Sequence, residues 1–495
     1  MFSRTVLSVA TAAALYSTVG LNPAEAADAT PPAASAGDLA QIREQIRQMK
    51  EDYESRIRAL EKRVQDAEAR ADRAVAPAGA GAQAIATPAA PGALASAPQS
   101  TASASAPAAA SAANAFNPAM SVILGGTYAR LSQDPSQYRI QGFIPGGDGV
   151  GPGSRSFNLG ESELTLSANI DHQFSGQLTF SFNSENQVSV EEAFFRANGL
   201  AAGVNFSAGR VLSAIGYMNA QHAHTWDFTD APLAYQAFFG GQYKNDGVQL
   251  KWLAPLDQFV ELGVELGRGA AFPATDRNKN GANSLAAFAH IGDDIGTGGS
   301  WRLGLSYLHT GAADRAFDDT DRAGMAVTNA FTGNSRMWIA DAIYKWSPDG
   351  NATQTNFKLQ GEYFRRTEKG TLTYDTRGAS QGALAGDYRA AQSGWYVQGV
   401  YQFMPLWRAG LRYDRLGSGT YSLSTIDSGA LTPADFSRLL SYNPSRSTVM
   451  VDYSPSEFSR FRLQFARDLA RPGATDNQIF LQYIMSLGAH GAHTF

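Results

Sequence analysis

Between Phe259 and Arg268 apolar and polar positions take strict turns. Val260, Leu262, Val264 and Leu266 fall on one face, and Glu261, Gly263, Glu265 and Gly267 on the other. The same period sets Leu164, Leu166, Ala168 and Ile170 against Glu163, Thr165, Ser167 and Asn169. It also sets Trp301, Leu303, Leu305 and Tyr307 against Arg302, Gly304 and Ser306. Successive side chains of a β-strand point to opposite faces, so each stretch predicts a strand with one greasy and one wet side. The stretches run to about ten residues, the length of a tilted strand crossing a bilayer. Strands of soluble sandwiches are usually shorter, about five to six residues.

This pattern predicts strands at 121–131, 157–171, 174–185, 189–197, 203–211, 244–253, 258–268 and 283–293. It continues at 300–310, 335–346, 355–367, 391–404, 406–416, 446–454, 457–468 and 475–487. These make about 16 strands, an even number, as single-chain bacterial barrels have. Short turns such as Ala254-Pro255-Leu256-Asp257 and Ser347-Pro348-Asp349-Gly350 alternate with long connections at 132–156, 212–243, 311–334, 368–390 and 417–445. The expected fold is therefore all-β, a transmembrane antiparallel β-barrel over 120–495, with both its ends at the short-turn rim. Apolar residues would face outer-membrane lipid and polar ones a wet lumen. Trp252, Trp301, Trp338, Trp346, Trp395 and Trp407 lie near expected strand ends, where indoles form girdles at headgroup depth.

The chain ahead of the barrel has a different texture. Arg4, the apolar run Val6–Tyr16 and Ala24-Glu25-Ala26 predict a cleavable secretory signal over 1–26. Residues 38–75 are charged and helical in pattern. Leu39, Ile42, Ile46, Met49, Tyr53, Ile57, Leu60, Val64, Ala67, Ala71 and Ala74 step by three and four, which predicts a short α-helical coiled coil in the periplasm. A single amphipathic helix lying on another surface is the alternative. Residues 76–117 are almost all Ala, Pro, Ser, Gly and Thr and predict a linker. At the far end, the strand Ile479–Met485 and the terminal Phe495 suit presentation to the barrel-assembly machinery. Together these place the protein in the outer membrane of a Gram-negative bacterium.

Composition narrows the functions. The net charge of −5 carries no basic stripe, so no nucleic-acid partner is expected. With no cysteine there are no disulfides, thiolate metal sites or cysteine nucleophiles. Gly146-Gly147-Asp148-Gly149 lacks the Lys-Ser/Thr of a phosphate loop. Barrel enzymes place Asp–His or Ser–His pairs at a rim, which leaves Asp227 or Asp230 with His224 as the candidates. No enzymatic function is expected.

The alternation turns Lys251, Arg302, Lys358, Arg408, Arg412, Arg460 and Arg462 inward, with Glu163, Glu261, Glu265, Glu362 and Asp414. Opposed charges in a lumen filter small solutes by size and charge, which makes these the expected pore-lining residues. The plainer alternative is that they hydrate the lumen and brace the wall. Four of the seven histidines fall in two clusters, His222 with His224 and His490 with His493. Imidazoles suit zinc, and Asp227 and Asp230 are near enough in sequence to complete a weak site. Packing of this loop against Trp226, Phe228, Tyr235, Phe238 and Phe239 is the competing explanation.

Two resemblances add to this. The order of coiled coil, linker and barrel resembles the phosphate- and pyrophosphate-selective porins, with local likeness at Leu159–Leu164 and Ala208-Gly209-Arg210-Val211. It implies a homotrimer in which the loop Leu212–Tyr243 folds into the pore. Gln221–Phe228 and the tail Leu487–Phe495 look similar to barrels known as zinc-regulated TonB-dependent-type outer membrane receptors. A receptor of that kind has about 22 strands and a plug, and roughly 375 residues leave room for about 16 strands. The sequence thus supports a porin-like channel for small hydrophilic solutes or ions. A metal-linked uptake or binding protein, and an envelope tether built on the coiled coil, are the alternatives.

Overall fold

The computed structural model describes residues 118–488, except 148, 184–186 and 201–202. The expected signal, coiled coil and linker, together with His490, His493 and Phe495, lie outside the described residues. The described chain forms strands β1 (Ala119–Leu131), β2 (Ser156–Leu159), β3 (Ser162–Asn169), β4 (Phe174–Phe182), β5 (Val188–Leu200) and β6 (Val204–Leu212). Then come β7 (Lys244–Leu253), β8 (Phe259–Gly267), β9 (Ser284–Ile295), β10 (Gly299–Thr320), β11 (Ala326–Trp346) and β12 (Asn356–Tyr374). Last are β13 (Leu384–Met404), β14 (Trp407–Leu423), β15 (Ser445–Ser456), β16 (Ser459–Arg471) and β17 (Ala474–Gly488). Two short helices, α1 (Leu233–Phe239) and α2 (Ser424–Asp427), sit in long connections.

Each strand pairs antiparallel with its sequence neighbour, and β1 closes the cylinder against β17 from Ser121↔Gly488 to Leu131↔Gln478. Both β2 and β3 pair with β1, so they are one stave interrupted at Gly160-Glu161. The close approach there needs glycine: a Cβ on Gly125 would lie 2.6 Å from the Glu161 carbonyl oxygen. Counting β2 and β3 as one, the 17 strands make 16 staves of a closed antiparallel barrel. The described ends, like the tight turns, lie at one rim.

The outside is a hydrocarbon-facing belt. Leu262, Val264, Leu266, Leu303, Leu305, Leu411, Val449 and Leu463 are all exposed. Trp346 and the stacked pair Trp407–Tyr453 mark its lower edge near the short turns. Trp338 against Tyr307 and Trp395 against Tyr413 mark the upper edge. Trp338 and Trp395 are mid-strand, because the strands continue well beyond the belt. The segments 311–334 and 368–390, expected as loops, are largely strand: β10 and β11 run to 22 and 21 residues, and β12 and β13 to 19 and 21. Above the upper girdle the outward positions turn polar, as at Arg336, Arg365, Lys369, Asp387 and Arg389.

The inside differs from the wet lumen the alternation implied. Ile215, Leu233, Tyr235, Phe238 and Phe239 from the β6–β7 connection pack against Leu308, Met337, Ile339, Phe364, Tyr396 and Leu416 of the wall. A second apolar cluster, with Phe331, Leu372, Tyr388, Leu423 and Phe436, fills the long-loop end. β10–β14 therefore carry apolar residues on both faces.

Leu303 lies midway between the two girdles and points to lipid. Leu303→Arg is expected to cost about 2–4 kcal/mol, read from urea unfolding of the barrel in lipid vesicles. A cost near zero would mean that this face does not meet hydrocarbon.

Candidate functional site

The connection between β6 and β7, residues 213–243, turns inward and crosses the lumen. Its start is fixed by Glu265 on β8, whose carboxylate accepts from the Ser213 hydroxyl at 2.6 Å and the Ala214 N–H at 2.9 Å. At Gly216 the backbone adopts φ +68°, and a Cβ there would stand 2.3 Å from the Glu362 carboxylate. Only glycine meets both demands. The segment ends in α1, all of whose residues are buried. Asp414 on β14 accepts the Leu233 N–H at 2.9 Å, so a wall carboxylate satisfies an orphan donor of the first turn. Gly240, at φ +68°, closes the other end in the left-handed conformation.

Glu362 on β12 is the central anchor. It accepts from the hydroxyls of Tyr235 at 2.9 Å and Tyr396 at 2.6 Å, and from the N–H groups of Tyr217 at 3.2 Å and Met218 at 3.1 Å. Buried carboxylates are costly unless their lone pairs are met, and here donors of segment and wall meet on one group.

On the β12–β16 side the segment is held by charge. Asp227 pairs with Lys358 and, at 3.3 Å, with Arg408. Asp230 pairs with Arg412 at 2.9 Å and Arg446 at 2.6 Å. Arg460 and Arg462 donate to the carbonyls of His224 and Trp226. Burial opposes the charged form of Asp227, but Lys358 and Arg408 hold its carboxyl well below the usual carboxylate range.

On the opposite side, at β3 and β5, the two histidines meet carboxylates. His224 Nδ1 lies 2.8 Å from Glu163 Oε1, and His222 Nδ1 lies 3.1 Å from Glu163 Oε2 and 3.2 Å from Glu191 Oε2. His222 Nε2 faces Glu192 Oε2 at 3.2 Å. Burial disfavours the charged ring of His222, yet Glu163, Glu191 and Glu192 raise its pKa well above the ordinary value.

The expected site residues therefore separate into groups. His222 and His224 do come together, but Asp227 and Asp230 turn away to the basic wall and are not near them as ligands or catalytic partners. The physical reason is charge: the aspartates are drawn to Lys358, Arg408, Arg412 and Arg446. Of the inward charges, Glu163, Glu265, Glu362, Arg412, Asp414 and Arg462 are buried, covered by the segment or by neighbouring side chains. Lys251, Glu261, Arg302, Lys358, Arg408 and Arg460 are partly exposed towards the short-turn end. Sequence reasoning missed Lys345, which faces Lys358 across the β11–β12 ladder, and the anchors Arg446, Asp452, Glu191 and Glu192. Lys345 could have been found by carrying the alternation of β11 down to Trp346. Glu191 and Glu192 could not, since adjacent residues both turn inward only where the β4–β5 register shifts between Thr179 and Phe180.

No known family's sequence profile matches the chain. The resemblance of Gln221–Phe228 and the tail to zinc-regulated receptors accordingly finds no support. An uncharacterised protein of Aquifex aeolicus (strain VF5) is 29% identical over 357 residues, spanning 69% of this chain and 70% of that one. Among solved structures, OprB of Pseudomonas putida covers 75% of this chain and 94% of its own at TM-score 0.45 and 13% identity. The outer membrane channel DcaP of Acinetobacter baumannii covers 74% and 96% at TM-score 0.43 and 12% identity. The anion-selective porin from Comamonas acidovorans covers 75% and 99% at TM-score 0.43 and 11% identity. All three are distant likenesses, and no activity follows from them.

Removing the Glu362 carboxylate strands two buried hydroxyls and two N–H groups. Glu362→Ala is expected to lower the unfolding free energy by about 3 kcal/mol, and Glu362→Gln to recover only part of this. The amide oxygen can accept from the tyrosines and the Met218 N–H, but its NH2 would face the Tyr217 N–H. Urea titration of the refolded protein reads both values; equal stability of the three proteins would contradict the anchor role.

Proposed function

We propose that this protein is a porin-like channel of the outer membrane, passing small hydrophilic solutes or ions through a lumen narrowed by residues 213–243. The observation that carries the reading is the crossing of a closed, lipid-facing barrel by a segment tied to opposite walls. Passage is then governed by what the segment leaves open, and by the charges around it.

Those charges suggest a preference. The partly exposed inward side chains towards the short turns are Lys251, Arg302, Lys345, Lys358, Arg408 and Arg460, against Glu261. Asp227, Asp341 and Asp452 offset some of this charge from beneath. Cations at a low-dielectric constriction raise the local concentration of anions. The channel is thus read as favouring small anions. Assembly as a homotrimer, and insertion through the C-terminal strand with Phe495, belong to the same reading.

Purified protein in planar bilayers is expected to show stepwise conductance, in threes if the inserted unit is a trimer. Under a salt gradient the reversal potential should carry the sign of anion preference, and it should shrink in a Lys345→Gln, Lys358→Gln double variant. Absence of conductance would remove the channel reading. A reversal potential of cationic sign would remove the selectivity.

A further inference from the structure

Glu163 differs from the carboxylates of the basic wall in that two histidines, not arginines, are its partners. Glu161 and Glu163 on and beside β3, and Glu191 and Glu192 on β5, converge where His222 and His224 arrive from the inserted segment. Among the described residues no lysine or arginine forms an ion pair with any of these carboxylates. Even with both imidazoles protonated, the carboxylates of Glu163, Glu191 and Glu192 outnumber the cations that face them. This contrasts with the opposite wall, where Asp227 and Asp230 each pair with two cationic side chains.

The donor atoms are also placed as ligands would be. The Glu163 carboxylate and the ligating nitrogens of His222 and His224 lie within 4.8 Å of one another, and Glu161, Glu163 and Glu191 form a second such group. Ligands at about 2.0–2.1 Å from a tetrahedral ion stand roughly 3.3–3.4 Å apart. The imidazole–carboxylate contacts of 2.8, 3.1 and 3.2 Å are close to that spacing, so an ion could replace the shared protons with small shifts. Two imidazoles with carboxylate oxygens and no sulfur suit a borderline divalent ion such as zinc. The side chains of His222 and His224 are 20% and 9% exposed, so a small hydrated ion can reach them.

We propose that Glu163, Glu191, His222 and His224 form a binding site for a divalent transition-metal ion that joins the inserted segment to the β3–β5 wall. The ion would do on this side what Lys358, Arg408, Arg412 and Arg446 do on the other. The site does not depend on the channel reading, because binding can be measured whether or not the barrel conducts.

The test is zinc titration calorimetry on the refolded full-length barrel in detergent. A His490→Ala, His493→Ala background excludes the tail histidines, and His172→Ala, in an exposed turn, serves as the control. One zinc ion per chain is expected, with affinity unchanged in the control. It should fall more than about tenfold in His222→Ala, His224→Ala and in Glu163→Gln. X-ray absorption of the zinc-loaded protein should show imidazole and oxygen ligands. Because Glu163→Gln keeps the side-chain shape and one acceptor oxygen, a loss there with sheet content intact by circular dichroism separates ligation from misfolding. Saturable binding that vanishes only on removing His490 and His493, binding unaffected by the variants, or an all-oxygen ligand shell would each overturn the proposal.

Discussion

In the hydrocarbon of a bilayer no water is available to a backbone N–H or C=O, so every such group must be met by the chain itself. The seam between β1 and β17 is where this requirement is satisfied, and all else in the structure depends on it. Once the ladder closes, backbone hydrogen bonds are consumed in the wall. The interior is then left to side chains and to whatever connection can turn inward. Residues 213–243 do so, and their own donors are met by carboxylates of the wall: Glu265, Glu362 and Asp414.

Two kinds of force hold that segment, and they do different jobs. The apolar cluster around Tyr235, Phe238 and Phe364 supplies most of the favourable burial. The buried ion pairs of Asp227 and Asp230 contribute less net stability, since desolvation offsets much of their attraction. What they add is position. An aspartate facing two guanidinium or ammonium groups fixes where the chain crosses, and a shifted crossing would strand a buried charge. Any selectivity of the lumen thus rests more on the segment and its partners than on the inward face of the strands taken alone.

The barrel itself was legible because outward residues must be apolar wherever they meet lipid, and that constraint writes a two-residue period. The period was misread at 311–334 and 368–390 for a physical reason. Above the upper girdle its sense inverts: Phe317, Phe331 and Leu372 point inward, while Asp318, Arg365 and Lys369 point out. A search for greasy outer faces ends there, although the strands do not. The pairing of His222 with His224 was visible as spacing, and the turn of the loop into the lumen followed from the porin resemblance. Their carboxylate partners were not visible, because Glu163 and Glu191 lie far away in sequence and only the closed ladder brings them within reach. Asp227 and Asp230 looked like ligands by nearness along the chain, but electrostatics sends them to the far wall.

The wall of this cylinder is uneven in height. β4, β6 and β8 have 9 residues each, whereas β10 has 22. At about 3.3 Å per residue and a tilt near 45°, nine residues rise only about 21 Å. The apolar band of such barrels is about 25 Å tall, so these three strands cross the hydrocarbon with nothing to spare. What mismatch there is falls on β4, β6 and β8 and not on β10, and lipid disordered there would be relieved wherever a neighbouring molecule took its place.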